Sequence, residues 1–172
     1  MEDRPKIELS FTRWDLFLET LGWMTLIATW IIPMYYFSSL PERIPIHFNA
    51  AGIPDGFSQR GSLWIIAGIN TFLYVGMSLL TKVPHIYNYS VDITPENAEF
   101  QYRNAVFMVR YLKTLVSAIF LYAMVSVIMV ALGKWEGTGS WFLPVFIVLM
   151  MGSTVFFLVR ASRGKRHKKT AQ

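Results

Sequence analysis

The sequence contains no cysteine, which excludes disulfide bonds and thiol chemistry. It also lacks charge over long stretches, although 16% of its 172 residues are charged. Four apolar runs contain no Asp, Glu, Lys, Arg or His, and each has about the 20 residues that a helix needs to cross a hydrocarbon core of roughly 30 Å. These runs are Thr20 to Pro41, Gly61 to Thr81, Thr114 to Gly133 and Gly137 to Val159.

Such runs predict an all-α integral membrane protein with four transmembrane helices. Lipid offers the backbone no hydrogen-bond partners, so a spanning segment has to satisfy its own polar groups, as a helix does. The alternative, a soluble protein with four buried core helices, is disfavoured because core helices seldom run so far without a charge. The 53% share of hydrophobic residues is also too high for an ordinary soluble domain.

Basic residues are unevenly placed around these runs. Thirteen of the sixteen Lys and Arg residues lie before the first run, between the second and third runs, or after the fourth. The remaining three, in the other two loops, are Arg43, Arg60 and Lys134. Because Lys and Arg favour cytoplasmic loops and flanks, we expect both termini in the cytoplasm and the loop between the first two helices outside it.

We expect one membrane domain over residues 1–172, organised in four parts. The parts are a two-helix unit at 1–80, a cytoplasmic loop and amphipathic surface helix at 81–113, a second helix pair at 114–160 and a basic cytoplasmic tail at 161–172. The surface helix should run straight into the third span, so that Arg103, Arg110 and Lys113 lie near lipid headgroups. Because the tail directly follows a span, we expect it to bind anionic lipid rather than nucleic acid.

The four runs offer few groups that could perform chemistry. Asn70 is their only side-chain amide, and we expect it to form an interhelical hydrogen bond. Transporters and pumps keep ionisable residues inside the membrane, so their absence from the runs argues against a proton-coupled carrier or an ion pump. The sequence shows no Ser-His-Asp set, phosphate-binding loop or paired-carboxylate signature, and it indicates no cofactor. Chemical specificity is therefore expected in the loops.

The loop between the first two runs contains IPIHFNAAGIPDGF, residues 44–57. Ile44, Ile46 and Phe48 alternate with polar residues or proline, which predicts a short extended segment with one apolar face. Gly52 can adopt positive φ in a turn at AAG, and IPDGF predicts a second turn after it. The expected form is a compact hairpin-like external loop.

Three polar side chains of this loop would be presented together, away from the apolar face: His47, Asn49 and Asp55. Each also has a purely structural interpretation, because Asp55 suits a turn, Asn49 can bond its own turn backbone and His47 can be an ordinary hydrogen-bonding residue. A metal site is disfavoured because one imidazole and one carboxylate are too few for zinc. His85 cannot add a ligand, since it flanks the other end of the second span, roughly 30 Å from His47.

The sequence LPERIPIHFNAAGIPDG resembles the L-P-x-x-I-P-x-H-F-N-x-x-G-x-P-D-G signature of the bacterial membrane-protein family known as domain of unknown function 1648. That domain forms the N-terminal part of SdpI-type proteins of toxin immunity and signalling, which are longer and have additional spans. The resemblance covers about the first eighty residues and implies the bacterial cytoplasmic (inner) membrane. Its matching positions are Leu40, Pro41, Ile44, Pro45, His47, Phe48, Asn49, Gly52, Pro54, Asp55 and Gly56.

Three functions remain open at this point. The first is a sensor or immunity protein whose loop binds an extracytoplasmic peptide or envelope ligand, with a cytoplasmic protein partner or a second copy on the inner side. Its ligand-binding residues would be Pro45, His47, Phe48, Asn49, Gly52, Pro54, Asp55 and Gly56.

The second function is a structural or assembly subunit in which the loop is only a folded cap. The third, less favoured, is a membrane enzyme with His47 as general base, because histidine titrates near pH ~6.5. An enzyme would need Asn49, Asp55 and Glu136 clustered around His47, and the sequence offers no evident nucleophile.

Overall fold

The computed structural model describes residues 4–163, so most of the basic tail predicted at 161–172 lies outside the described residues. Four helices account for most of the chain, and an antiparallel hairpin connects the first two. All four helices are long and apolar enough to cross a membrane, which confirms the prediction of a mostly helical, multi-pass membrane protein. The elements are α1 (Arg13–Tyr36), β1 (Arg43–Phe48), β2 (Pro54–Gln59), α2 (Leu63–Leu80), α3 (Ala98–Ala131) and α4 (Phe142–Arg163).

Helix α1 begins at Arg13, earlier than the predicted start at Thr20. Thr12 caps it: the Thr12 hydroxyl accepts a hydrogen bond from the Asp15 amide (3.2 Å), and the Asp15 carboxylate accepts one from the Thr12 amide (2.8 Å). This reciprocal capping box satisfies two backbone donors that a helix start would otherwise leave unpaired. As a result, Asp15 and Glu19 belong to the helix rather than to the segment before it.

Helix α3 is continuous over 34 residues, as predicted for the surface helix and the third span together. Arg110 and Lys113 do not lie on the exposed side of this helix, as a surface helix near the headgroups would require, because both side chains are buried inside the bundle. Helix α3 packs against α1, α2, α4 and β1, so it is the central element of the fold. Its buried cations therefore face other helices rather than lipid.

The two ends of the bundle carry different loops. The Thr138 amide donates to the Gly52 carbonyl (2.9 Å), which places the α3–α4 loop beside the hairpin, at what we call the hairpin end. Arg4 donates to the Tyr87 carbonyl (2.6 Å), and Gln101 bonds a carbonyl near the end of α4. The N-terminal segment, the α2–α3 connection and the end of α4 thus lie together at the opposite end, the terminal end.

Between the ends, apolar and polar side chains occupy different levels of the interface of α1, α2 and α3. Asn70 donates to the hydroxyls of Thr29 (3.1 Å) and Ser117 (3.3 Å), which confirms its predicted interhelical hydrogen bond. Thr25 adds a further bond to Ser117 (3.0 Å), and these four residues form the polar seam of the bundle. Toward the hairpin end the interface is an apolar core of Leu40, Ile44, Leu63, Ala67, Met124, Val127 and Ile128.

Candidate functional site

The hairpin pairs β1 with β2 in a ladder that is irregular at two places. The register runs from Arg43 opposite Gln59 to Phe48 opposite Pro54, with His47 opposite Gly56. It leaves Ile46 of β1 and Asp55 of β2 without partners, as β-bulges do. Each strand therefore contains one extra residue at a different level of the ladder.

These irregularities overturn two details of the predicted loop. Ile44 is buried but Ile46 is exposed, because the bulge breaks the two-residue alternation between them. The sequence IPDGF does not form a second turn, since Pro54 begins β2. Propensity rules favour a turn for Pro-Asp-Gly, but pairing with β1 outweighs that local preference here.

The single turn of the hairpin is organised by Asn49. Its side-chain oxygen accepts hydrogen bonds from the amides of Ala51 (2.9 Å) and Ile53 (3.1 Å), which confirms the structural interpretation of this residue. Gly52 has φ of 79°, the left-handed conformation that the AAG turn predicted. Asn49 is therefore part of the frame of the hairpin, and its amide oxygen is already engaged.

His47 and Asp55 contact each other on the exposed side of the hairpin. The Nδ1 atom of His47 is hydrogen-bonded to the Oδ1 atom of Asp55, and 70% of the His47 side chain is exposed. Gly56 makes this contact feasible, because a Cβ at that position would approach the His47 Cβ to 2.9 Å. Since Asp55 holds Nδ1, the other ring nitrogen, Nε2, is the atom that His47 can offer to a ligand.

The structure divides the eight predicted ligand-binding residues into two groups. His47 and Asp55 are exposed side chains outside the turn, whereas Asn49, which is also exposed, has its side-chain oxygen engaged within the turn. The others shape or anchor the hairpin: Pro45 and Gly52 are buried, Phe48 packs on the apolar core, Asn49 forms the turn, and Pro54 and Gly56 lie in β2.

Backbone atoms of two loops meet directly at the tip of the hairpin. The Gly52 carbonyl accepts the Thr138 amide, and the Thr138 carbonyl accepts the Tyr122 hydroxyl (2.7 Å). A Cβ at Gly137 would overlap the Gly52 carbonyl oxygen, and one at Gly52 would lie 2.8 Å from the backbone of Gly139. Because glycine has no side chain, Gly52 and Gly137 allow the hairpin to pack against the α3–α4 loop. The sequence analysis did not predict this contact.

Large apolar side chains are exposed on the same hairpin. Ile46, Ile53 and Phe57 are 44%, 57% and 52% exposed. Together with His47 and Asp55 they form what we call the hairpin face. It combines one polar pair with apolar area on a rigid turn, a composition suited to recognition.

Other residues proposed for chemistry are not assembled at this face. Glu136 is exposed in the α3–α4 loop and forms no hydrogen bond or ion pair with His47 or Asp55 within the described range 4–163. His85 follows α2 at the terminal end, where the Arg4 side chain bonds its carbonyl. No group of three or more His, Asp or Glu residues placed to hold a metal is found in that range.

At the terminal end, four charged side chains form a network that the sequence analysis missed. Arg110 pairs with Asp15 (2.7 Å), and its Nε lies 3.3 Å from a Glu19 oxygen. The ammonium of Lys113 donates to both Glu19 oxygens (2.8 and 2.7 Å) and to the Ser78 hydroxyl (2.9 Å). Lys113 is only 1% exposed, so these contacts take the place of the water that an exposed ammonium would bind.

Spacing in the sequence contained a signal for this network. Asp15 and Glu19 are four residues apart and Arg110 and Lys113 are three apart, so each pair shares one face of its helix. Counting only uncharged runs placed the first pair outside the first span and the second pair in a surface helix. The helices therefore contain buried ionisable side chains, although the sequence analysis looked for such groups only in the loops.

Comparison with known proteins identifies the hairpin segment. Residues 24–71 match the family model described as domain of unknown function (DUF1648), a range that contains the whole hairpin and parts of α1 and α2. This match confirms the resemblance seen in the sequence.

An uncharacterized protein of Archaeoglobus fulgidus is 32% identical over 63 residues, which cover 37% of this chain and 34% of that relative. The aligned part thus spans about a third of the relative's length, and the relative is archaeal rather than bacterial. No solved structure matches the chain.

The contact between the two loops can be tested with Gly137→Ala. Its Cβ would push the α3–α4 loop off the Gly52 carbonyl, so the Thr138 amide should lose its partner. We expect hydrogen exchange at Thr138, followed by mass spectrometry, to accelerate about fivefold, equivalent to a bond worth ~1 kcal/mol. Gly61→Ala is the matched control, because nothing lies within 4 Å of its added Cβ. Unchanged exchange in Gly137→Ala would contradict the contact.

The charged network predicts strong pairwise coupling. Glu19→Gln should cost about 3–5 kcal/mol, because it leaves the buried Lys113 charge unpaired, whereas Lys113→Met should cost less, because Glu19 is partly exposed and keeps Arg110 beside it. The double variant should recover part of the loss seen in Glu19→Gln. Unfolding in detergent micelles measures this cycle. Arg103→Gln provides the control, since Arg103 pairs with the exposed Glu99 on the same helix (3.1 Å) and such a pair is worth only ~0.3–0.5 kcal/mol. Losses no larger than that of the control would refute the coupling.

Proposed function

We propose that this chain, whose residues 24–71 carry a DUF1648 domain, uses its hairpin face to recognise an extracytoplasmic peptide or envelope ligand. In this proposal it is an SdpI-like sensor or immunity protein of the bacterial cytoplasmic membrane. The observation that carries the proposal is the exposed His47–Asp55 pair, held on a bulged hairpin. The family description assigns no activity, so the support comes from the site itself.

Rigidity of the hairpin supports recognition rather than a purely structural cap. Asn49 fixes the turn, and the contact between Gly52 and Thr138 fixes the tip. A face that is already ordered loses little conformational entropy when a ligand binds. A cap needs no exposed polar pair, whereas a recognition surface uses one for specificity and adjacent apolar side chains such as Phe57 for affinity.

The distribution of charge supports an extracytoplasmic hairpin end. Only Arg43, Arg60 and Lys134 among the sixteen Lys and Arg residues lie at or beside the loops of that end. Arg110 and Lys113 are buried beside acidic partners, but this does not change the predicted orientation. Acidic residues contribute little to the rule that Lys and Arg favour cytoplasmic loops. The terminal end would then face the cytoplasm, where a protein partner or a second copy could bind.

In this proposal the hairpin would also pass a signal through the bundle. It is continuous with α1 and α2, and these helices carry Glu19 and Ser78 of the charged network at their far ends. In the proposed function, ligand binding would act on the charged network through α1. Any shift of α1 against α3 would have to separate Glu19 from Lys113 and Asp15 from Arg110, so the network is where such a signal would be received.

An enzymatic role has one observation in its favour, because a carboxylate orients the His47 imidazole as in many acid–base sites. Against it, no hydrogen bond reaches the His47 Nε2 from any hydroxyl or second acid of residues 4–163. A binding role needs no such partner, so recognition accounts better for the site.

Recognition can be tested by a pull-down. The full chain is extracted from cells in mild detergent, and the envelope components that remain bound to it are captured with it. The His47→Ala/Asp55→Ala variant should bind the captured component about 30-fold more weakly, the loss expected for central contact residues. His85→Ala is the control, since it removes a histidine from the terminal end. Reduced protein level or stability in the double variant, without a specific loss of capture, would instead favour the structural subunit.

The orientation has a direct test because the chain is free of cysteine. A membrane-impermeant maleimide applied to intact cells should label Gln59→Cys at the hairpin end and spare Ser90→Cys at the terminal end, both exposed positions. Permeabilisation should make both reactive. Labelling of Ser90→Cys alone in intact cells would reverse the proposed orientation.

A further inference from the structure

Strand β2 pairs with β1 on one edge only. Helix α3 packs against β1, and residues 4–163 contain no third strand that could pair with the outer edge of β2. Such an edge presents backbone N–H and C=O groups that can pair with another chain. Which residues of β2 present these groups follows from the register of the hairpin.

The register fixes the direction of each backbone group of β2. The Arg60 amide donates to the Glu42 carbonyl (2.9 Å), which identifies these two residues as a hydrogen-bonded pair of the antiparallel ladder. Pairs that exchange hydrogen bonds alternate with pairs that do not, so the N–H and C=O groups of Gln59 and Phe57 point away from β1. Pro45, which has no N–H, lies opposite Phe57, in agreement with this assignment.

The outward groups of Phe57 and Gln59 are available to a partner. Neither residue bonds the backbone of a segment outside the hairpin within residues 4–163. Together the two residues offer two donors and two acceptors, spaced roughly 7 Å apart along the strand. An extended peptide that lies along this edge can therefore form backbone hydrogen bonds with both residues.

Proteins commonly protect edge strands with proline, charge or a bulge, and β2 does so only in its first half. Pro54 begins the strand and Asp55 is bulged, but neither proline, charge nor bulge occurs from Phe57 to Gln59. The unprotected half lies beside the ring of Phe57, which is 52% exposed. A β-branched or aromatic side chain on a paired strand would pack against this ring.

We infer that the ligand of the hairpin face is an extended peptide that adds a third strand to the outer edge of β2. Its backbone pairs with Phe57 and Gln59, and a β-branched or aromatic side chain contacts the Phe57 ring. This inference rests on the proposed recognition function and names the chemical class of the ligand. Lipid and glycan ligands lack the alternating N–H and C=O groups that this edge matches.

The outward donor of Gln59 can be removed without disturbing the hairpin. Its φ of −69° and ψ of 147° are values that proline adopts, and Ser58 before it is extended within β2. Gln59→Pro therefore removes one outward N–H, whereas Gln59→Ala removes the same side chain and keeps that N–H. The two variants form a matched pair, and equal unfolding midpoints verify that both are folded.

The test pans a random linear seven-residue peptide library, displayed on phage, against the purified full chain in detergent. Enriched peptides are synthesised, and we expect them to bind Gln59→Pro about tenfold more weakly than Gln59→Ala, because a peptide carbonyl loses its donor. The peptides are also N-methylated at every second amide, in each of the two possible registers. One register should abolish binding and the other should preserve it, since only alternate amides of a strand face β2.

Equal binding to Gln59→Pro and Gln59→Ala, or equal effects of the two N-methylation registers, would overturn strand addition. Failure to enrich any peptide would overturn it as well. If the peptides bound both Gln59 variants equally but were lost in His47→Ala/Asp55→Ala, recognition by the hairpin face would stand without strand addition. Dimers that form with Gln59→Ala but not with Gln59→Pro, in the absence of peptide binding, would assign the edge to a second copy of the chain.

Discussion

A buried ammonium group in a membrane bundle requires a partner, and this requirement fixes how the helices meet. Lys113 is almost completely buried, and its ammonium donates hydrogen bonds to Glu19 and Ser78. One turn away, Arg110 requires Asp15 in the same way. Helix α1 can neither rotate nor slide against α3 without separating these charges, so the network sets the register on which the polar seam, the apolar core and the hairpin depend.

From that register the chain builds two ends of different character. The terminal end brings ionisable side chains together in the charged network, whereas the hairpin end is closed by apolar residues such as Leu63 and Met124. Above that core, backbone contacts between two loops hold an exposed imidazole–carboxylate pair in place. The fold thus separates the exposed His47–Asp55 pair at one end from the buried charged network at the other.

Much of this architecture could be predicted because it follows from local patterns. Uncharged runs of sufficient length identify spanning helices. Gly52 indicates a turn because glycine readily adopts the positive φ that this turn requires. The register of the hairpin could not be predicted, because bulges at Ile46 and Asp55 depend on pairing between strands. The charged network was missed for a related reason. Its acids lie nearly a hundred residues from its cations in the sequence, and a buried charge is expected only where the fold brings its partner beside it.

The two bulges of the hairpin have a consequence for how such sequences can vary. Because each strand contains one extra residue, the pairing register shifts after Pro45 and is restored at Phe48. Deleting a residue from one strand alone would leave the other bulge uncompensated and turn the following side chains to the wrong face. Lineages that keep this fold should therefore gain or lose residues here in matched pairs, one in each strand, while the turn between them keeps its length.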